Sequence, residues 1–330
     1  MNMKKAKKLN VGLAILVAAV MAGNAQTTVN SDIVGYQTST IAGKGSGSSF
    51  LSFVPNNLAK AAIHTGAGTA AGTVVTLDGA SLSGSIGPVS GIPTHYLLVK
   101  TGAGAGFVSD VTAFTAGSVT TADDLSSSIT AGTTVSVVPH TKLTDVLGTT
   151  TGLLVTGGST VTAADNVYLV DATGALKIYY YKTGPGSGWK TSSGADATAT
   201  IVYPSESILV SRKQVAPVSV VTVGQVASEQ TKAVFTQNMN SACSGAPVGL
   251  TLSSLYPAIS GGSTVSAADN VFLINPTTGA LDIFYYKTGP GAGWKTAAGA
   301  TADATRDISS GYLVKRKAAT AAVFAQTKTW

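Results

Sequence analysis

The sequence predicts an all-β protein of tandem antiparallel units, sandwich-like or barrel-like, two of them a near-identical internal repeat. Three observations predict it. Residues 157–213 begin GGSTVTAADNVYLVDATGALKIYYYKTGPGSGWKT, and residues 261–317 begin GGSTVSAADNVFLINPTTGALDIFYYKTGPGAGWKT. Short apolar runs rich in Val, Ile, Thr and aromatic residues recur along the chain, each broken by Gly, Ser, Asn or Pro. Hydrophobic residues make up 44% of the chain and charged residues 11%, against about 25% charged in ordinary soluble proteins. Such a chain can bury a core, and it has few charges with which to keep its surface from associating.

The first 25 residues read as a signal peptide. Lys4, Lys5, Lys7 and Lys8 precede an apolar stretch at 11–21, and Gly23 and Ala25 supply the small residues of a cleavage site. The expected mature chain starts at Gln26 and is exported, to the cell surface, the extracellular space or the periplasm. No later apolar stretch is long enough for a transmembrane helix. The leader holds four of the 21 Lys+Arg and no acid, leaving 17 basic against 15 acidic residues. The basic character therefore belongs to the leader, and a nucleic-acid partner loses its support. Cys243 is the one cysteine, so no disulfide framework holds the fold. With no His or basic cluster in nearby sequence, it reads as a passive small residue in a Ser/Gly loop.

Residues 26–145 are expected to form an N-terminal β domain. DIVGYQTSTIAG (32–43) reads as a strand, KGSGSS as a flexible turn and FLSFV as a second strand. Residues 73–77 and 96–100 are further strands, and 119–138 supply two more. Residues 57–64 allow a turn or less of helix. KTGAGAGF (100–107) reads either as a third, degenerate copy of the hairpin at 182–189 or as a reused turn. The first repeat unit is placed at 146–237 and the second at 238–330. In each, NVYLV or NVFLI is a strand, a turn follows, the aromatic run is the next strand, and the Gly/Pro connection leads into a strand opened by Trp-Lys. SILVSRK and GYLVKRK are the last strands of the copied segment. AVFTQ (233–237) and AVFAQ (322–326) are expected to close the two units.

Differences between the copies give a burial map. Tyr168 becomes Phe272 and Tyr179 becomes Phe284, so those rings pack and their hydroxyls are dispensable. Lys177 becomes Asp282, a reversal expected only where water screens the charge. The aromatic clusters are the candidate ligand-stacking residues: Tyr179, Tyr181 and Trp189 in the first copy, Phe284, Tyr286 and Trp294 in the second. Exposed, such rings form platforms for sugars; buried, they plug a β core, and burial is the favoured reading.

No catalytic residues are assigned. His64, His95 and His140 are scattered, and no serine sits in a G-x-S-x-G elbow. The Gly-rich stretch 66–72 lacks nucleotide-binding spacing and reads as a flexible turn. Asp165-Asn166, Asp269-Asn270 and Asp123-Asp124 offer too few oxygens for calcium and read as Asx turns. No metal or cofactor is expected.

DIVGY, SVVPHTKL at 136–143, DNVYLV, the aromatic run ending in GWK and ILVSRK together resemble an uncharacterised family of secreted β-rich proteins from Verrucomicrobia-type bacteria. The resemblance spans 32–213, and its later half is matched again at 269–317. The aromatic-GW unit usually occurs once in that family, and the second copy here departs from the pattern. The resemblance implies export and β structure and carries over no site residue. The expected function is that of a non-enzymatic structural or surface protein, a subunit of an extracellular assembly with itself as partner. The alternative is a module that binds extracellular polysaccharide through the duplicated Trp/Tyr faces.

Overall fold

The computed structural model describes residues 33–44, 50–227, 230–245 and 249–326. The expected leader, the turn that follows Lys44 and Trp330 lie outside these residues. Strands β1 (Val34–Ile41), β2 (Phe50–Pro55) and the short β3 (Leu58–Ala59) come first. The next six are β4 (His64–Ala71), β5 (Val74–Leu77), β6 (His95–Val99), β7 (Val108–Phe114), β8 (Ser118–Thr121) and β9 (Thr133–Pro139). They close into an antiparallel barrel in the order β4-β5-β8-β7-β6-β9. Val75, Leu97, Val99, Val111, Val119 and Val135 fill it, all fully buried. A buried Val or Leu side chain contributes roughly 1.5–3 kcal/mol.

One expectation is corrected inside the barrel. The Gly-rich stretch 66–72 is not a flexible turn; most of it is strand β4. Gly68 has a packing reason, because a Cβ there would stand 2.9 Å from a Val135 methyl on the adjacent strand β9. The hairpin KTGAGAGF joins β6 to β7 of this barrel and leads into Phe107, with no tryptophan.

After the barrel come β10 (Thr141–Lys142) and a five-residue helix, α1 (Leu143–Leu147), which periodicity did not reveal. Asp145 starts it by accepting the Lys142 backbone N–H at 2.7 Å, and Gly148, at φ 82, ends it. The first copy of the repeated segment supplies β11 (Asn166–Val170), β12 (Leu176–Lys182), β13 (Gly188–Thr191), β14 (Ile201–Val202) and β15 (Ser207–Arg212), followed by β16 (Val218–Val226). Strands β17 (Thr231–Phe235) and β18 (Asn238–Ala242) and a 3-10 turn (Leu252–Leu255) precede the second copy. That copy supplies β19 (Asn270–Ile274), β20 (Leu281–Lys287), β21 (Gly293–Thr296) and β22 (Tyr312–Arg316), and β23 (Ala322–Gln326) is last.

The copied segments form two five-stranded antiparallel sheets, β13-β12-β11-β15-β2 and β21-β20-β19-β22-β18. Their registers agree: Val167 faces Tyr179 and Tyr181 faces Trp189, as Val271 faces Phe284 and Tyr286 faces Trp294. A ribbon covers one face of each. In the first, β1 pairs with β16, setting Ile41 opposite Val218; in the second, β17 pairs with β23, setting Phe235 opposite Ala322.

This pairing revises the expected boundaries. Strands β1 and β2 precede the barrel in sequence yet complete the first sheet unit, so 26–145 is not one body. The barrel is inserted into that unit where the second has only residues 243–251 between β18 and the 3-10 turn. AVFTQ is likewise not the closing strand of the first unit. It is β17, the opening strand of the second, hydrogen-bonded to AVFAQ of β23; β16 closes the first.

Alternation along the strands then sorts the side chains. Val167, Leu169, Ile208 and Val210 face the first ribbon's core, and Val271, Leu273, Tyr312 and Val314 the second's. The opposite faces pack on each other through Phe53, Tyr168 and Leu209 on one sheet and Phe272 and Leu313 on the other. The arrangement is ribbon, sheet, sheet, ribbon, and the contacts between the sheets are reciprocal. Gly174 in the β11–β12 turn lies against Asn238 and Met239 of β18, and the corresponding Gly279 against Phe50 of β2. Asn238 donates to the Thr173 carbonyl at 3.2 Å, and Leu51 N–H to the Gly279 carbonyl at 3.0 Å. Such self-complementary pairing is that of a two-fold contact.

Candidate functional site

Reciprocal packing leaves two grooves, one on each side of the sheet–sheet contact. The larger, about 690 Å³, runs between the barrel tip (Gly91, Ile92), the first sheet with its loop (Leu169, Asp171, Tyr179, Asp196, Tyr203, Glu206) and the second unit (Thr236, Met239, Asn240). The smaller, about 480 Å³, is lined by Thr38, Leu51, Phe53, Ile274, Arg306 and Asp307. Apart from the barrel tip, which lines the larger groove alone, corresponding elements of the two units make both, in exchanged roles. Their chemistry differs: the first groove carries three carboxylates, the second an arginine and an aspartate.

In the larger groove the side chains are held from below. Asp171 caps its own turn, accepting from the Thr173 hydroxyl at 2.6 Å and from the Thr173 and Ala175 N–H groups at 2.9 Å, and pairs with Lys177 at 3.1 Å. The Thr173 hydroxyl and these N–H groups hold its carboxyl well below the usual range. Asp196 is lowered by the Thr198 hydroxyl and by Lys190. Glu206 differs: burial pushes its carboxyl up to about 7, opposed by a hydrogen bond from the Tyr203 backbone N–H. Tyr203, 38% exposed, turns its hydroxyl to Asp110 of the barrel at 2.9 Å. Asp110 also meets buried His140 at 2.9 Å, and the His140 ring lies between Tyr96 and Tyr203. This Asp–His–Tyr cluster fastens the barrel to the sheet that forms the groove wall.

Of the six residues singled out as stacking candidates, Tyr179 lies on this groove, half-buried. Trp189 is 1% exposed and Trp294 4%, each inside its own core. Tyr181 meets Trp189 edge-to-face at 5.8 Å and 88°, and Tyr286 meets Trp294 at 5.8 Å and 86°. The Trp189 N–H donates to the Gly148 carbonyl at 2.8 Å, and the Tyr181 hydroxyl lies 2.7 Å from that of Thr150. Phe284 is buried beneath the Arg306 guanidinium. Tyr286 is half-buried and stacked at 3.8 Å on Tyr256, an exposed ring that sequence reading passed over. The tryptophans therefore present no open face.

The recurring Asp-Asn pairs have a different use from the one expected. Asp165 and Asp269 are fully buried and make no Asx turn. Asp165 accepts from the Thr156 N–H at 2.7 Å, the Lys213 N–H at 2.7 Å and Arg212 at 3.3 Å. Asp269 accepts from the Ser260 N–H at 2.8 Å, the Lys317 N–H at 2.8 Å and Arg316 at 3.1 Å. The basic ends of SILVSRK and GYLVKRK thus hold the turn that precedes β11 or β19. Asp124 does form the local turn, accepting the Ser126 N–H at 2.9 Å. The charge reversal at 177/282 is locally paired rather than only screened: Lys177 faces Asp171, while Asp282 faces Arg306 at 3.7 Å and accepts from Asn275. Cys243 is fully buried, and burial raises its thiol to about 12. No helix among the described residues is long and apolar enough to cross a membrane.

The chain matches no protein-family model, no curated protein and no solved structure.

Proposed function

We propose that this protein is an exported, non-enzymatic structural component that associates with copies of itself in an extracellular or surface assembly. The observation that carries the reading is the outer face of the β1–β16 ribbon. Tyr36 is 79% exposed and stands opposite Val223, which is 70% exposed, with Val34 and Val221 beside them. Among the described residues, strand β1 is also the edge of its sheet. An apolar face beside an unpaired strand edge is what a protein normally blunts with charge, and this one carries none in β1 or β16. On the second unit, Val234 and Val323 are paired and half-exposed on the corresponding ribbon.

Sedimentation velocity over a concentration series tests this. The wild type should associate as concentration rises, and Tyr36→Lys combined with Val223→Lys should shift association at least tenfold in concentration. A wild type that stays monomeric at the highest concentration would overturn the reading.

Polysaccharide binding is the second reading, favoured by the half-open rings of Tyr179 and Tyr203 on the larger groove. Retention on a polysaccharide column, lost in Tyr203→Ala with the circular dichroism unchanged, would select it.

A further inference from the structure

The two ribbons correspond strand for strand, and the molecule itself covers one of them. Ile41 ends β1 and Phe235 ends β17, and both side chains enter their own cores. Counting back along the two strands sets Thr38 level with Lys232, Gln37 with Thr231 and Tyr36 with Gln230. On β17 this stretch carries the Gly-rich hairpin of the barrel, KTGAGAGF at 100–107. A Cβ on Gly106 would stand 2.7 Å from the Gln230 carbonyl oxygen and 3.0 Å from the Lys232 backbone nitrogen. The hairpin thus meets the strand backbone to backbone, an approach that glycine allows. The Lys232 ammonium donates to the Ala103 carbonyl at 3.0 Å and lies 4.2 Å from the centre of the Phe107 ring.

On β1 the same stretch is open: Tyr36 is 79% exposed, and Thr38 is exposed beside it. Among the described residues one barrel serves two ribbons, so its hairpin fills one of two equivalent seats. The chain carries the hairpin sequence twice more, as KTGPGSGW at 182–189 and KTGPGAGW at 287–294. The tips of both, 183–187 and 288–292, are exposed. A Cβ on Gly188 or Gly293, the counterparts of Gly106, would meet nothing within 4 Å. Residues 287–293 differ from 100–106 at Pro290 alone, whereas 182–188 differ at Pro185 and Ser187. No charged side chain lies on β1 or on 288–293 to oppose a contact between them.

We infer that the hairpin 287–293 of one copy seats on β1 of a second copy at residues 36–38, as the barrel hairpin seats on β17 within one chain. Gly293 takes the place of Gly106 against the strand backbone, and Ala292 that of Ala105. This contact rests on the self-association proposed above and names the surfaces that make it. Hairpin and seat are different patches, so the contact is head-to-tail. Each added copy brings a fresh hairpin and a fresh seat, and growth leads to a ring or an open filament rather than a two-fold dimer.

Sedimentation velocity and cross-linking of the full chain test it. Ala292→Asp and Thr38→Asp should each shift association at least tenfold upward in concentration, and Ser187→Asp should not. Mixed where each alone is monomeric, Ala292→Asp and Thr38→Asp should give a dimer that does not grow, because each keeps one working end. Thr38→Cys in one copy and Ala292→Cys in another should join under a short bismaleimide, and Cys243, fully buried, should not react. Cross-linking of Thr38→Cys to itself in place of Ala292→Cys would mean that β1 edges pair directly, which overturns the inference and leaves self-association standing. Association unchanged by Ala292→Asp would do the same. A wild type that stays monomeric at the highest concentration overturns both.

Discussion

At Glu206 a single carboxyl reports how tightly the larger groove is closed from below. Its ordinary value is near 4.5 and burial lifts it to about 7, so the folded protein holds this proton more firmly than the unfolded chain does. The sign follows from linkage. Stability falls as pH rises from the unfolded value through about 7, and levels off above it. Glu206→Gln should remove that loss, stabilising the protein by roughly 2–3 kcal/mol at pH 8, with the gain shrinking toward pH 5. Denaturant titrations at several pH values would show it; parallel wild-type and variant curves would refute it. None of this was legible in sequence, where Glu206 is one acid in a Ser/Pro-rich loop. The buried Asp165–Arg212 and Asp269–Arg316 pairs were half legible. Both motifs were visible as repeats, but their partnership spans 47 residues and no local pattern encodes it.

The strands of both sheets could be read from their apolar runs, because alternation and turn chemistry are local, except β18, whose polar NMNSA stretch reads as loop. Their partners could not. Strand β2 pairs with β15 across the inserted barrel, and the glycines that let the sheets approach look in sequence like ordinary turn residues. Gly174 separates the two roles. It sits at φ 77, and a Cβ there would lie 2.5 Å from the Asn238 Cβ and 2.8 Å from the Met239 nitrogen. Gly72 has a similar φ of 63 with nothing within 4 Å of the same position. Gly72→Ala should therefore carry only the left-handed backbone penalty of about 1 kcal/mol. Gly174→Ala should cost an additional 1–3 kcal/mol, roughly, from overpacking at the sheet–sheet contact. Equal losses by chemical denaturation would mean that the sheets do not meet closely at this turn.

For the molecule as a whole, the duplication was legible and its consequence was not. Residues 157–213 and 261–317 announce two copies, yet β1 and β2 share too little sequence with β17 and β18 to show that the first unit begins before the barrel. The four-layer arrangement turns each aromatic-rich face inward, toward its own ribbon, and spends the opposite face on sheet–sheet packing. What these layers leave outside is the β1–β16 ribbon face, the β17–β23 ribbon and the two grooves, and the proposed association draws on the ribbon faces rather than on the tryptophans. That division depends on Trp189 and Trp294 both being core residues. Tryptophan fluorescence with iodide quenching tests it directly, using Trp189→Phe and Trp294→Phe variants in a Trp330→Phe background. Both remaining tryptophans should emit in the blue and resist iodide, with Trp189 held additionally by its bond to Gly148. Red-shifted, readily quenched emission from either would contradict the layered core and return that face to the surface as a binding platform.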